Sequence, residues 1–192
     1  DGGLLFAIVP LSVMAEGGKD SLWRRDSLLA RHTLLSVISM PEELFYPVAN
    51  QTVAVIIRRG VPHQPSQPVL WARIVNDGFQ KSKGRRLPAP PTATNDLHTM
   101  TPILRSFLLD PSQPVASIPE MVRKAPIDWA DPILELVPEA YVESAVPGLP
   151  ELKDRLDEQV RDNIAALVNV DLRYSNGRSI IDQNANGTRA VT

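Results

Sequence analysis

Cysteine is absent from this chain. That excludes disulfides and thiolate metal sites, and it fits a reducing compartment such as the cytoplasm. Histidine is almost as scarce. His32, His63 and His98 stand far apart, none with a partner three or four residues away. A metal centre needs converging ligands, so these read as exposed single histidines and no metal is expected. No apolar run approaches about 18 residues, so no membrane span is expected. Charge of one sign is lacking too: the formal net charge is −2 over 192 residues. No global field draws such a chain to nucleic acid, and any contact of that kind must come from a local patch. A serine-centred nucleophile elbow and a glycine-rich phosphate loop are both missing. No residue is therefore assigned a catalytic role.

Hydrophobic residues make up 43% of the chain, enough for a core in one domain, or one domain with an appendage. Leu4 to Val9 is an apolar run of strand length without alternation, which suits a strand covered on both faces. A loop over Leu11 to Lys19 should follow. Asp20 or Ser21 then caps a helix reaching about Arg31, with Leu22, Leu28 and Leu29 as its buried stripe and Trp23 adding bulk. Leu34 to Ser39 reads as a strand parallel to the first, joined by a right-handed crossover. After a corner at Met40 to Leu44, Thr52 to Arg58 should return antiparallel. Val69 to Val75 is a fourth strand, and Asn76-Asp77-Gly78 a turn.

Proline is plentiful, at 18 residues, and most lie beyond Val61. Leu87 to Thr94 should hold no regular structure. Thr101 with Pro102 predicts a helix to Leu109, and Ser117 with Pro119 a short helix to Lys124. Asp128 to Ser144 reads as irregular, with a helical turn near Val137–Tyr141. Leu152, Leu156, Val160, Ile164 and Leu167 recur at helical spacing after Pro150 and should bury one stripe. From Ser175 the chain turns polar and should be loosely ordered. The expected organisation is an α/β region over 1–87, a proline-rich linker over 88–100, a helical region over 101–174 and a tail over 175–192.

Two features carry candidate chemistry. The connector between the second and third strands holds adjacent aromatics, Phe45 and Tyr46. Such rings at a surface could stack a nucleobase, or Phe45 could pack beneath the connector while Tyr46 caps a strand end. Lys81, Lys83, Arg85 and Arg86 set four cations within six positions. They could neutralise phosphates, or form a solvated loop.

Several phrases, taken in order, resemble one family. Gly2 to Pro10, then His32 to Ile57, then Trp71 followed by Asp77-Gly78-Phe79 with Lys81, Lys83 and Arg86, are similar to the later half of N6-adenine DNA methyltransferases. The resemblance is to the modification subunits of type I restriction systems and their single-chain relatives. Ile133 to Ser144 (ILELVPEAYVES) resembles a segment that follows the methyltransferase domain in such proteins. The resemblance implies the late strands of a Rossmann-like methyltransferase sheet: a βαβ unit plus an antiparallel return strand, followed by a helical appendage. It implies that Phe45, with Tyr46 beside it, walls a flipped adenine, and that Lys81, Lys83, Arg85 and Arg86 lie near the DNA. It implies S-adenosylmethionine as cofactor of the intact enzyme, double-stranded DNA as partner, and a specificity subunit or a second copy as a further partner. The family's glycine-containing cofactor motif and its Asn-Pro-Pro-Phe/Tyr motif do not occur here. The expectation is therefore a C-terminal part of such an enzyme, inactive alone, with a non-catalytic DNA- or subunit-binding module as the alternative.

Overall fold

Two of the apolar runs that do not alternate are strands covered on both faces, and they form the centre of this fold. Another, Leu4 to Val9, expected to be covered likewise, is an edge strand and mostly exposed. A computed structural model describes residues 2–45, 50–82, 84–144 and 156–161. The chain divides into two units, Asp1–Ala145 and Val146–Thr192. In the first, β2 (Thr33–Ser39) is buried throughout, and β3 (Thr52–Arg58) is buried except at its last residue. The five-stranded sheet has the order β1-β3-β2-β4-β7. Here β1 is Leu4–Pro10, β4 is Pro68–Arg73 and β7 is Val122–Pro126. β3 runs antiparallel to both β1 and β2, so those two are parallel to each other, as the apolar pattern predicts, with β3 between them. β2 pairs parallel with β4, and β4 antiparallel with β7.

The pairing of β2 with β3 slips by one residue between Leu34 and Ser36. Such a bulge breaks the period of two and changes which face the next side chain meets. Leu34 and Val37 consequently share one face with Val53, Val55, Val69 and Trp71. Leu35 and Ile38 share the other with Ala54, Ile56, Leu70 and Ala72. Ser36, sealed within the sheet, donates from its hydroxyl to the Leu70 carbonyl at 2.8 Å. Each fully buried leucine of this kind contributes roughly 2 kcal/mol.

The first face is covered by α1 (Leu11–Ala15), α2 (Lys19–Trp23), a π-helical turn over Arg24–Leu29, and the segment 127–142. The second face is covered by α3 (Asp96–Leu109), through Met100 and Phe107. A separate hairpin pairs β5 (Phe79–Ser82) with β6 (Arg85–Pro88).

Several expectations need correction. Leu11 to Ala15 is helical rather than loop. The expected helix runs from Lys19 to Leu29 and widens to a π-helix at Arg24; Leu28 and Leu29 are buried as expected, whereas Leu22 and Trp23 are exposed. Arg24 is buried as well. Its guanidinium donates to the carbonyls of Val13, Glu16, Ile133 and Leu134 at 2.6–2.9 Å. Burial lowers its pKa, and Asp20, Asp131 and Glu135 oppose that shift. A buried cation of this kind is tolerated because four of its five N–H donors meet carbonyls.

Val122 to Pro126, of which Val122 to Lys124 were expected to end a short helix, is an edge strand. Its polar side chains suit an edge, and backbone pairing with β4 outweighs local preference. The helix expected from Thr101 begins at Asp96, capped by Asn95, whose side chain accepts from the Leu97 N–H at 3.0 Å; Pro102 lies inside it. Residues 88–100 are thus no free linker, and no domain boundary falls near 87, because β7 and α3 complete the sheet and its cover. The helical turn near Val137–Tyr141 is present as a 3-10 turn over Pro138–Ala140. His63 is 6% exposed rather than a surface histidine.

In the second unit, 156–161 are helical, and Leu156 and Val160 are each 54% exposed, so these two bury no stripe. Leu152, Ile164, Leu167 and the polar tail lie outside the described residues. Among the described residues no helix is long and apolar enough to cross a membrane.

Candidate functional site

The connector after β2 and the hairpin after β4 meet along one groove of about 590 Å³. β2 and β4 are parallel neighbours, so both chains leave the sheet at the same end. The connector turns at once: the Leu44 N–H returns to the Pro41 carbonyl at 3.0 Å. Met40 still donates to Thr52 at 3.0 Å, which holds the two ends of the connector together. Phe45 stands on this turn, 45% exposed, and belongs to neither core cluster. Tyr46 lies outside the described residues.

The hairpin separates the basic run by strand alternation. Lys81 pairs opposite Arg86, and Phe79 opposite Pro88, so these four share one face. Phe79, Lys81 and Arg86 line the groove. Arg85 pairs with Ser82 on the other face and is exposed. Lys83 lies outside the described residues. The structure therefore brings the connector together with Lys81 and Arg86, and sets Arg85 apart.

The groove is mixed in charge. Lys81 lies 3.6 Å from Glu43, and Arg73 lies 3.3 Å from Glu139. Arg86 is paired with Asp77. Glu139 also accepts from the Ser39 hydroxyl at 2.8 Å, which brings the ILELVPEAYVES segment to the groove. Sequence reasoning had no signal for Glu139 or Arg73, because each meets the site only through the fold. Exposed pairs such as Lys81–Glu43 are worth under about 1 kcal/mol, so Lys81 could exchange its carboxylate for a phosphate at little cost. Arg86–Asp77 is different, since both side chains are mostly covered, at 20% and 9% exposure.

No metal-binding group of histidine and carboxylate side chains occurs among the described residues. Neither the glycine pair nor the apolar groove beside β1 fits S-adenosylmethionine. Gly17-Gly18 joins two helices rather than a strand to a helix. The groove of about 430 Å³ beside β1 is apolar, lined by Leu5, Val9, Met14, Trp23 and Leu28 among others. It offers no carboxylate for the ribose hydroxyls that such cofactors carry.

Three comparisons bear on this arrangement. No family model matches the chain. The type II restriction enzyme and methyltransferase RM.BcgI of Heyndrickxia coagulans is 32% identical over 77 residues, which are 40% of this chain and 12% of that protein. A chain from a solved type I restriction–modification complex superposes with a TM-score of 0.53 at 18% identity, covering 93% of this chain and 37% of its own length. The M protein of the type I restriction enzyme EcoKI gives 0.52 at 20% identity, covering 93% of this chain and 42% of its own length. The chain spans less than half of each of these proteins. In sequence over those 77 residues, and in its mixed α/β fold over most of its length, the chain is similar to the methyltransferase proteins of restriction–modification systems.

Proposed function

We propose that this chain forms part of an S-adenosylmethionine-dependent DNA adenine-N6 methyltransferase of a restriction–modification system. It contributes the late strands of a Rossmann-like sheet and one wall for the target base. β1, β2 and β3 would be the last three strands, with β3 the antiparallel one inserted between two parallel neighbours. The observation that carries the reading is Phe45: an aromatic residue 45% exposed on the connector, two residues past Glu43, where the connector lines a groove shared with a basic hairpin. An extruded base loses its stacking neighbours and needs an aromatic face in their place. Lys81, Lys83 and Arg85 would add phosphate contacts. Cofactor and catalytic amine-orienting groups would come from residues other than those described, so no chemical step is assigned to this chain.

The test uses the whole protein that carries this chain. Phe45→Ala should lower methyl transfer to duplex DNA at least tenfold, a modest share of the cost of leaving a flipped base unstacked. It should leave non-specific DNA binding nearly unchanged. Equal losses in both would assign Phe45 to packing. A second reading is a non-catalytic module that binds DNA or a partner subunit, which absence of an Asn-Pro-Pro-Phe/Tyr motif from the whole gene would favour. DNA binding without methyl transfer by the whole wild-type protein would select it.

A further inference from the structure

The turn after β4 is braced from four sides. The Val75 and Asn76 N–H groups both donate to one oxygen of Asp96, at 2.9 and 2.8 Å. Gly78 sits at φ 82°, and a Cβ there would come within 2.6 Å of the Asn95 amide nitrogen. Asp77, 8% exposed, accepts from the Phe79 N–H at 3.2 Å and takes the Arg86 guanidinium on its other oxygen. Arg86 in turn lies over the Phe79 ring, 5.0 Å from its centroid. All this order ends on a phenyl ring that is 50% exposed and belongs to neither core cluster. A ring fixed in place without being buried does little for packing. An arginine on one face, however, leaves a fixed second face for another flat group.

We propose that Phe79 is a base-contacting ring of the groove, separate from Phe45 on the connector. Arg86 and Asp77 are positioning residues that hold it, and Arg86 does not contact phosphate. The inference rests on the DNA-binding reading above and narrows it. Stacking on a pre-held ring avoids the entropy of ordering that ring at binding. Arg86 suits this role because leaving Asp77 for a phosphate would strand a covered carboxylate. Lys81, whose carboxylate partner is exposed, keeps the phosphate role.

The test titrates the whole protein that carries this chain into a fluorescein-labelled duplex carrying one unpaired adenine, at several salt concentrations. Wild type should bind with an affinity that falls as salt rises. Phe79→Ala and Phe79→Leu should each weaken binding about tenfold, with the salt slope unchanged, because a stacking contact releases no counterions. Phe79→Tyr should bind like wild type. Arg86→Ala should match Phe79→Ala in both affinity and slope, whereas Lys81→Ala should lower the slope by about one. Wild-type binding by Phe79→Leu would overturn the assignment, and so would a slope lowered by about one in Arg86→Ala. In either case the DNA-binding reading would stand. No binding by wild type at any salt concentration would overturn that reading and this one with it.

Discussion

The indole of Trp71 lies flat against the phenol of Tyr141, with centroids 3.7 Å apart and planes 2° from parallel. This contact joins the centre of the sheet to a segment with almost no regular structure. Trp71 is completely buried and donates from its indole N–H to the Ala125 carbonyl at 3.0 Å. The Tyr141 hydroxyl donates to the Glu135 carbonyl and accepts from the Asp128 N–H, both at 3.1 Å. Burial raises the Tyr141 pKa above 10.0. Tyr141→Ala should cost about 3 kcal/mol, by lost burial and an open cavity. Tyr141→Phe keeps the ring and should cost about 1 kcal/mol. Urea denaturation of both variants measures the difference. A loss under about 0.5 kcal/mol in Tyr141→Ala, the size of an ordinary surface change, would mean that 128–142 lies on the sheet without holding it.

His63 is set to make the fold sensitive to acid. Its backbone N–H donates to the Leu29 carbonyl at 2.9 Å, and its ring lies 6.2 Å from that of Trp129. Burial lowers its pKa from 6.5 to about 4, and a backbone group of Gln67 opposes the shift. The folded state therefore refuses a proton that the unfolded chain accepts. The stability linked to His63 is whole above pH 6.5 and is lost as pH falls toward about 4. Urea midpoints across that window should fall less steeply for His63→Leu than for wild type. Parallel curves would assign the acid sensitivity to other groups.

Strand β1 presents an apolar edge. Leu4, Leu5, Phe6 and Ile8 are 58%, 48%, 61% and 43% exposed, and β3 is the strand's one partner among the described residues. Bare strand edges template pairing with another chain. The chain should self-associate, and Phe6→Lys with Ile8→Lys should shift it toward monomer while changing unfolding stability by less than about 1 kcal/mol. Sedimentation across a concentration series measures this. A wild-type monomer at the highest concentration would show that the edge is already protected.

The strands were legible where burial on both faces left an unbroken apolar run. Thr52–Arg58 matches the expected limits, and Thr33–Ser39 differs from them by one residue. Val122–Pro126 was not legible, because an edge strand of Arg, Lys and Ala carries no apolar pattern, only a free backbone. Arg24 was hidden because a charged residue in a helical stretch normally faces water, and its carbonyl partners are remote in sequence. Asn95 and Asp96 did offer a capping signal, but Pro102 drew the expected helix start toward itself. For the site, residue types singled out Phe45 and the four cations. Which cations share a face depends on the hairpin register, and that register rests on Gly84 and on the pairing of Lys81 with Arg86.

Arg24 also sets a timetable. The Ile133 and Leu134 carbonyls that it reaches lie 109 and 110 residues further along the chain. At ribosomal speed they appear about ten seconds after the guanidinium itself. Until then the cation must stay hydrated, so the wide turn around it cannot close over the sheet. The newborn chain holds its first face open until the stretch around Ile133 and Leu134 emerges to shut it.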